Sequence, residues 1–166
     1  MTRVPYGEVT DERMLRANII SALANNPQVL KGFGDLGGRL LMRGELAPRT
    51  RELVILRVGA MLGSDYEWGQ HVLMGRTAGL DDDEIRAVRD GRVDTFSESE
   101  AAAVRYGEAV EERRVDDALW DATKKHFSDS EMVELTVLAA FYGLVSRTLI
   151  ALQVDLDDNI QGLSHP

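Results

Sequence analysis

The stretch TRELVILRVGAMLGSDYEWGQHVLMGRTAGL, Thr50 to Leu80, decides how the chain is read. Its first half, through Leu62, is apolar on most sides of a helical projection, as in a helix that lies at the centre of a fold. Pro48 stands just before it and suits the first turn of that helix. Gly63 ends it. Ser64 is placed to cap a second helix, which runs through His71 to Ala78 and stops at the glycine signal Gly79-Leu80. A link of one glycine makes these two helices antiparallel neighbours.

Inside this hairpin, GSDYEWGQH (Gly63 to His71) gathers Ser64, Asp65, Tyr66, Glu67, Trp68 and one of only three histidines in the chain, so it is the first place to look for chemistry. It fits three descriptions: a proton-transfer site, a metal site, or a well-capped helix start. Glu67 and His71 are four apart and share a helical face. Glu52, on the preceding helix, comes alongside His71 across the short turn. The product is a histidine flanked by carboxylates in an apolar setting. A neighbouring carboxylate raises a histidine pKa and burial raises that of an unpaired acid, and both place proton transfer near neutrality. However, Ser64-x-x-Glu67 is also a capping box, in which Glu67 folds back to the Ser64 amide. Tyr66 and Trp68 suit a core or an interface. A metal site needs at least three ligands, and only Glu67 and His71 have local spacing, so no metal is expected. Composition and spacing alone leave the function open.

Outward from the hairpin the chain reads as all helical. From Asp11, apolar residues at Leu15, Ile19 and Leu23 mark an amphipathic helix that stops at Asn25-Asn26-Pro27. KGFGDLGGRLLMRG, with Gly32, Gly34, Gly37, Gly38 and Gly44, reads as a loop entering a short helix. No GK[ST] follows it and no strand precedes it, which sets aside a phosphate loop. Asp81 with Glu84, Ser97 with Glu100 and Ser128 with Glu131 each open a helix, the last one running to about Val154. Residues 115–126 are expected to be helical as well. The centre of the long helix, VLAAFYGLV, is followed by Ser146 and Arg147, which argues against a membrane span. Residues 155–166 are expected to fray as a tail.

The composition fits a soluble globular protein, and 166 residues suffice for one domain with a substantial core. The start, MTRVPYGEVTDER, lacks the apolar core of a secretory signal, so the cytoplasm is the expected compartment. The absence of cysteine excludes disulfides, thiolate metal sites and thiol redox chemistry. A net charge of −9 disfavours nucleic acid and anionic membranes as partners.

One resemblance sharpens this reading. LAPRTRELVILRVGAMLGSDYEWGQHVLMGRTAGLDDDEIRAV resembles the core of the carboxymuconolactone decarboxylase/alkylhydroperoxidase D (AhpD-like) superfamily. The likeness is closest over residues 45–90. NNPQVLKGF and EMVELTVLAAFYGLVSRTL resemble the flanks of its members, so the whole chain, 1–166, reads as one such domain. The resemblance implies an all-α fold and assembly as a homotrimer or homohexamer. In the alkylhydroperoxidase branch a glutamate precedes C-x-x-C-x-x-x-H. That glutamate matches Glu52 and the histidine matches His71, while the two cysteines fall on Ser64 and Glu67. Neither replacement can cycle through sulfenate and disulfide, so thiol peroxidase activity is not expected. The decarboxylase branch implies loss of CO2 from a carboxylated γ-lactone and protonation of the resulting dienolate on carbon. It needs no cofactor, because the lactone carbonyl takes up the electrons. On this reading His71, Glu67 and Glu52 are the catalytic candidates, and Ser64, Trp68, Tyr142 and Arg147 are the candidate substrate contacts. Arg147 is the expected grip on the substrate carboxylate, with Arg49, Arg51 and Arg57 as rivals.

Overall fold

The computed structural model describes residues 2–9 and 17–163. They form eight α-helices and no strand: α1 (Asn18–Leu23), α2 (Pro27–Met42), α3 (Pro48–Leu62), α4 (Asp65–Thr77), α5 (Asp82–Arg89), α6 (Glu98–Glu112), α7 (Asp117–Lys124) and α8 (Asp129–Leu152). A single 3-10 turn, Asp158–Ile160, follows. The first helix was expected to start at Asp11, but residues 10–16 lie outside the described residues.

The central helix is α3. Leu53, Val54, Ile55, Leu56 and Val58 are completely buried, because successive faces of α3 supply two different cores. Val54, Ile55 and Val58 join a cluster with Tyr106 of α6 and Leu135, Leu138 and Tyr142 of α8. Leu53 and Leu56 join a second cluster with Trp68 and Val72 of α4 and Ile85 and Val88 of α5. Gly63 ends α3 at φ 65°, a left-handed conformation that glycine adopts without the Cβ clash of other residues. The chain thereby reverses in one residue and lays α4 back along α3.

Capping boxes open α5 (Asp81, Glu84), α6 (Ser97, Glu100) and α8 (Ser128, Glu131), each with both reciprocal bonds formed. α8 is long and apolar enough to cross a membrane, and half of its most apolar stretch is buried against the rest of the fold. The glycine-rich segment departs from expectation. It is not a loop entering a short helix but the body of the 16-residue α2. Asn26 caps it by accepting from the Val29 amide, and Pro27 occupies its first turn. Each helical glycine costs about 1 kcal/mol relative to alanine. Packing offsets that cost: Leu30, Gly37 and Leu40 turn inward, and Gly37 lies against the ring of Phe141, which a Cβ would approach to 3.1 Å.

The tail also departs from expectation. Asp157 accepts hydrogen bonds from the Asn18 amide at 2.8 Å, from Gln70 Nε2 at 2.6 Å and from the Tyr66 hydroxyl. Ile160 is 1% exposed and packs on Gly69 of α4, a notch that only a residue without a side chain provides. Residues 164–166 lie outside the described residues. Replacing Ile160 with alanine is expected to cost about 2–5 kcal/mol of unfolding free energy, as for other buried isoleucines. Urea unfolding checks this, and a frayed tail would give a change within about 0.5 kcal/mol.

Candidate active site

Three helices converge on His71. From α4 come His71 itself and Glu67, one turn before it; α3 brings Glu52 across the Gly63 turn, and α8 brings Tyr142. His71 Nδ1 lies 2.6 Å from Glu52 Oε2, and His71 Nε2 lies 2.9 Å from Glu67 Oε1. The side chains of His71, Glu52 and Glu67 are 5%, 1% and 5% exposed, so the pairing takes place out of water. Tyr142 meets the imidazole edge to face, with ring centroids 4.9 Å apart. Arg51 Nε donates to Glu52 Oε1 at 3.2 Å and completes the row.

Burial by itself would lower the pKa of His71. The hydrogen bonds and charges of Glu52 and Glu67 overcome that penalty and raise it to about 9. At neutral pH the imidazole is therefore a cation that donates from both nitrogens. The imidazole and the Arg51 guanidinium thus lie against the carboxyl groups of Glu52 and Glu67. Tyr142 stays protonated: burial pushes its phenol well above the ordinary value, and the carboxylates of Glu67 and Glu52 push further in the same direction. Among the described residues its hydroxyl makes no hydrogen bond, which leaves it free to donate.

Glu67, His71 and Glu52 stand in a line, carboxylate, imidazole, carboxylate. That is the geometry of a proton relay. The lone pairs of a metal-ligand set would converge on one point, and among the described residues no group of three metal-binding side chains does so. Glu52 and Arg51 line a cleft of about 420 Å³ whose other walls include Pro48, Leu73, Met74 and Thr77. His71 and Glu67 lie behind them.

The remaining candidates are placed elsewhere. Ser64 begins α4, but its side chain makes no capping bond, and its buried hydroxyl has no partner among the described residues. Glu67, the other half of that expected capping box, has turned to His71 instead. Trp68 follows Glu67 by one residue and so points away from the site, into the cluster with Leu53 and Val88. Arg147 is 57% exposed and paired with Glu111, which removes it from the expected role of carboxylate grip. Arg49 is held by Glu84, Glu100 and the carbonyl of Gly79. Arg57 is held by Glu108 and the carbonyl of Arg89. The arginine at the cleft is Arg51. The cleft walls from α4 were not anticipated, although His71, Met74 and Ala78 follow helical spacing and carried that signal.

Comparison with known proteins fits this picture. The profile of the carboxymuconolactone decarboxylase family matches residues 27–109. No curated protein matches the sequence. Among solved structures, an uncharacterized peroxidase-related protein from Ralstonia eutropha JMP134, described as an alkylhydroperoxidase AhpD core, superposes with a TM-score of 0.82 at 19% identity, covering 96% of this chain and 94% of that one. A putative antioxidant defence protein AhpD from Agrobacterium tumefaciens gives 0.74 at 22% identity, covering 81% and 94%. The debrominase Bmp8, in complex with 2,3,4-tribromopyrrole, gives 0.76 at 15% identity, covering 89% and 80%. At such identities these likenesses carry the fold alone.

The raised histidine pKa has a definite sign in stability. A basic group whose folded pKa exceeds its unfolded one stabilises fully below the unfolded value, and that contribution is lost as pH rises through the folded value. For His71 the window runs from its ordinary 6.5 to about 9. Urea midpoints are expected to fall across this window in the wild type and to fall less in Glu67→Gln. In an NMR titration, Glu67→Gln should lower the His71 midpoint by about one unit or more; an unmoved midpoint would refute the Glu67 contact.

Proposed function

The chain belongs to the carboxymuconolactone decarboxylase family, and on that premise we propose that it is an acid–base enzyme that removes CO2 from a small enolisable carboxylic acid such as a carboxylated lactone. The observation that carries this reading is the buried line Glu67–His71–Glu52, which opens into a cleft at Glu52. In the proposed reaction the bond to the carboxyl carbon breaks and CO2 leaves. The electron pair passes into the conjugated carbonyl, forming an enolate, and a proton is then added at carbon. His71, charged at neutral pH, is the proton reservoir. Glu52 stands between it and the cleft, takes the proton from Nδ1 and hands it on. Glu67 holds the imidazole from behind and steadies its charge. The protonated Tyr142 keeps that charge from being neutralised by a phenolate. The same relay would serve an isomerase or a hydrolase, and release of CO2 is the readout that separates them.

A purely structural role for the histidine would have Glu67 bonded back to the Ser64 amide and His71 closed off by packing. His71 is indeed buried and does not itself line the cleft, but Glu67 is bonded to it rather than to the Ser64 amide and its other partner, Glu52, lines the cleft; these two observations support the chemical reading. The absence of cysteine keeps the reading apart from thiol peroxidase activity.

CO2 release across a panel of carboxylated lactones and β-keto acids tests the proposal. His71→Ala and Glu52→Gln are each expected to lower kcat/KM by about 100- to 10,000-fold, the usual contribution of a positioned acid–base group. No CO2 from any member of the panel would sink the decarboxylase reading.

We also infer that the chain works as a homo-oligomer, a trimer or a hexamer. The support is the outer face of α8, where Val133, Val137, Ala140, Leu144 and Ala151 are all exposed. With Arg147 they alternate in steps of four and three, the spacing of a helix–helix seam. Light scattering of the wild type should give a multiple of 18.4 kDa. Leu144→Glu should shift the mass toward the monomer, and a monomeric wild type would overturn the inference.

A further inference from the structure

We propose that the cleft beside Glu52 selects monocarboxylates with an apolar body, and that Arg51 is the residue that holds the carboxylate. The proposal rests on reading this cleft as the place of the substrate and adds the substrate's charge and polarity.

Arg51 differs from the other arginines around α3 and α8 in what its guanidinium still has to offer. A guanidinium carries five N–H donors in a planar fork that matches a carboxylate edge. Arg49 has Nε and both terminal nitrogens engaged by Glu84, Glu100 and Gly79. Arg147 has both terminal nitrogens on Glu111. Arg57 is tied at Nε and at one terminal nitrogen. Arg51 gives only Nε, to Glu52, and its two terminal nitrogens make no hydrogen bond among the described residues. Its side chain is 12% exposed and lines the cleft. A largely buried cation whose terminal N–H donors are unused, at the wall of a cavity, is a ready donor site for one carboxylate.

The rest of the cleft sets the limits. One carboxylate at Arg51 takes up the guanidinium that lines the cleft, and no second basic residue lines it to receive another. Beyond Arg51 and Glu52 the walls are Pro48, Leu73, Met74, the outer edge of Thr77 and Ala78, so the body of the ligand meets mainly apolar surface. The carboxylate on Arg51 sits beside Glu52, which places the α-carbon of the acid next to the end of the relay.

Binding is measured by calorimetry or by ligand-observed NMR with hexanoate, phenylacetate, their amides, and adipate. The expected result is binding of hexanoate and phenylacetate at least tenfold tighter than of their amides, with adipate no tighter than hexanoate. Arg51→Gln should lose at least tenfold on the acids and little on the amides. Thr77→Trp, at an exposed position, should block acids and amides alike and leave Arg51 untouched, so the result does not depend on one variant folding; circular dichroism melting checks both. Equal binding of acids and amides, wild-type affinity in Arg51→Gln, tighter binding of adipate, or no binding of any monocarboxylate would overturn the proposal. CO2 release is followed in parallel on the carboxylated lactones and β-keto acids, because hexanoate and phenylacetate have no carbonyl placed to take up the electron pair. Selective binding without turnover would sink the decarboxylase reading and leave this one standing.

Discussion

Burying His71 between Glu52 and Glu67 is the constraint on which the rest of the fold depends. Taking ionised groups out of water costs several kcal/mol each, and only close, well-oriented partners offset it. Here three ionisable side chains are nearly sealed, and each is tolerable only because the next is within hydrogen-bonding distance. The imidazole must present one nitrogen to each helix, so α3 and α4 are held in one register. The Gly63 turn provides that register in one residue, and the burial of Glu52, Leu53, Val54, Ile55, Leu56 and Val58 packs α3 between two cores. Removing any one member would leave an unpaired charge inside the protein.

The helix that carries His71 is braced on its other sides as well. Trp68 and Val72 anchor α4 to α5 through the second core. Tyr66 and Gln70 are tied to Asp157, and Ile160 fills the notch at Gly69. Asp157 also receives the Asn18 amide, so the start of α1, the middle of α4 and the C-terminal segment meet at one carboxylate. His71 is held at 2.6 and 2.9 Å from its two partners, and such distances persist only where the supporting elements have no room to shift.

Charge works differently at long and short range in this molecule. The chain carries −9 overall, which does nothing to draw an anion in. Beside the cleft, Arg51 and His71 lie against the carboxyl groups of Glu52 and Glu67. Anion recognition, as proposed, is a matter of the last few ångströms, where the free fork of Arg51 and the mainly apolar walls act together. The distribution of arginine partners makes this possible: Arg49 and Arg57 are held by glutamates and carbonyls of the scaffold, and Arg51 is left with donors to spare.

Much of this was legible in the sequence, and the exceptions share a cause. Helical period, a glycine at the end of α3 and three capping boxes are local signals, so they determined the all-α fold, the hairpin and most helix starts. The i, i+4 spacing put Glu67 and His71 on one face, and the one-residue turn pointed Glu52 toward them. What local signals could not decide is which of several competing partners a side chain takes. Glu67 had the Ser64 amide and His71 within reach, and the choice of His71 depends on Glu52 holding the other side of the ring. Arg147 and Arg51 are equally plausible grips for an anion until Glu111 is seen to occupy the first. The glycines of α2 weaken a helix locally, yet Phe141, a hundred residues away, favours close approach there. Ile160 belongs to a polar tail until Gly69 provides its notch. Sequence determined the elements and the chemical groups they carry; the tertiary structure alone decided the pairings, because hydrogen-bond partners and packing holes come from helices far apart in the chain.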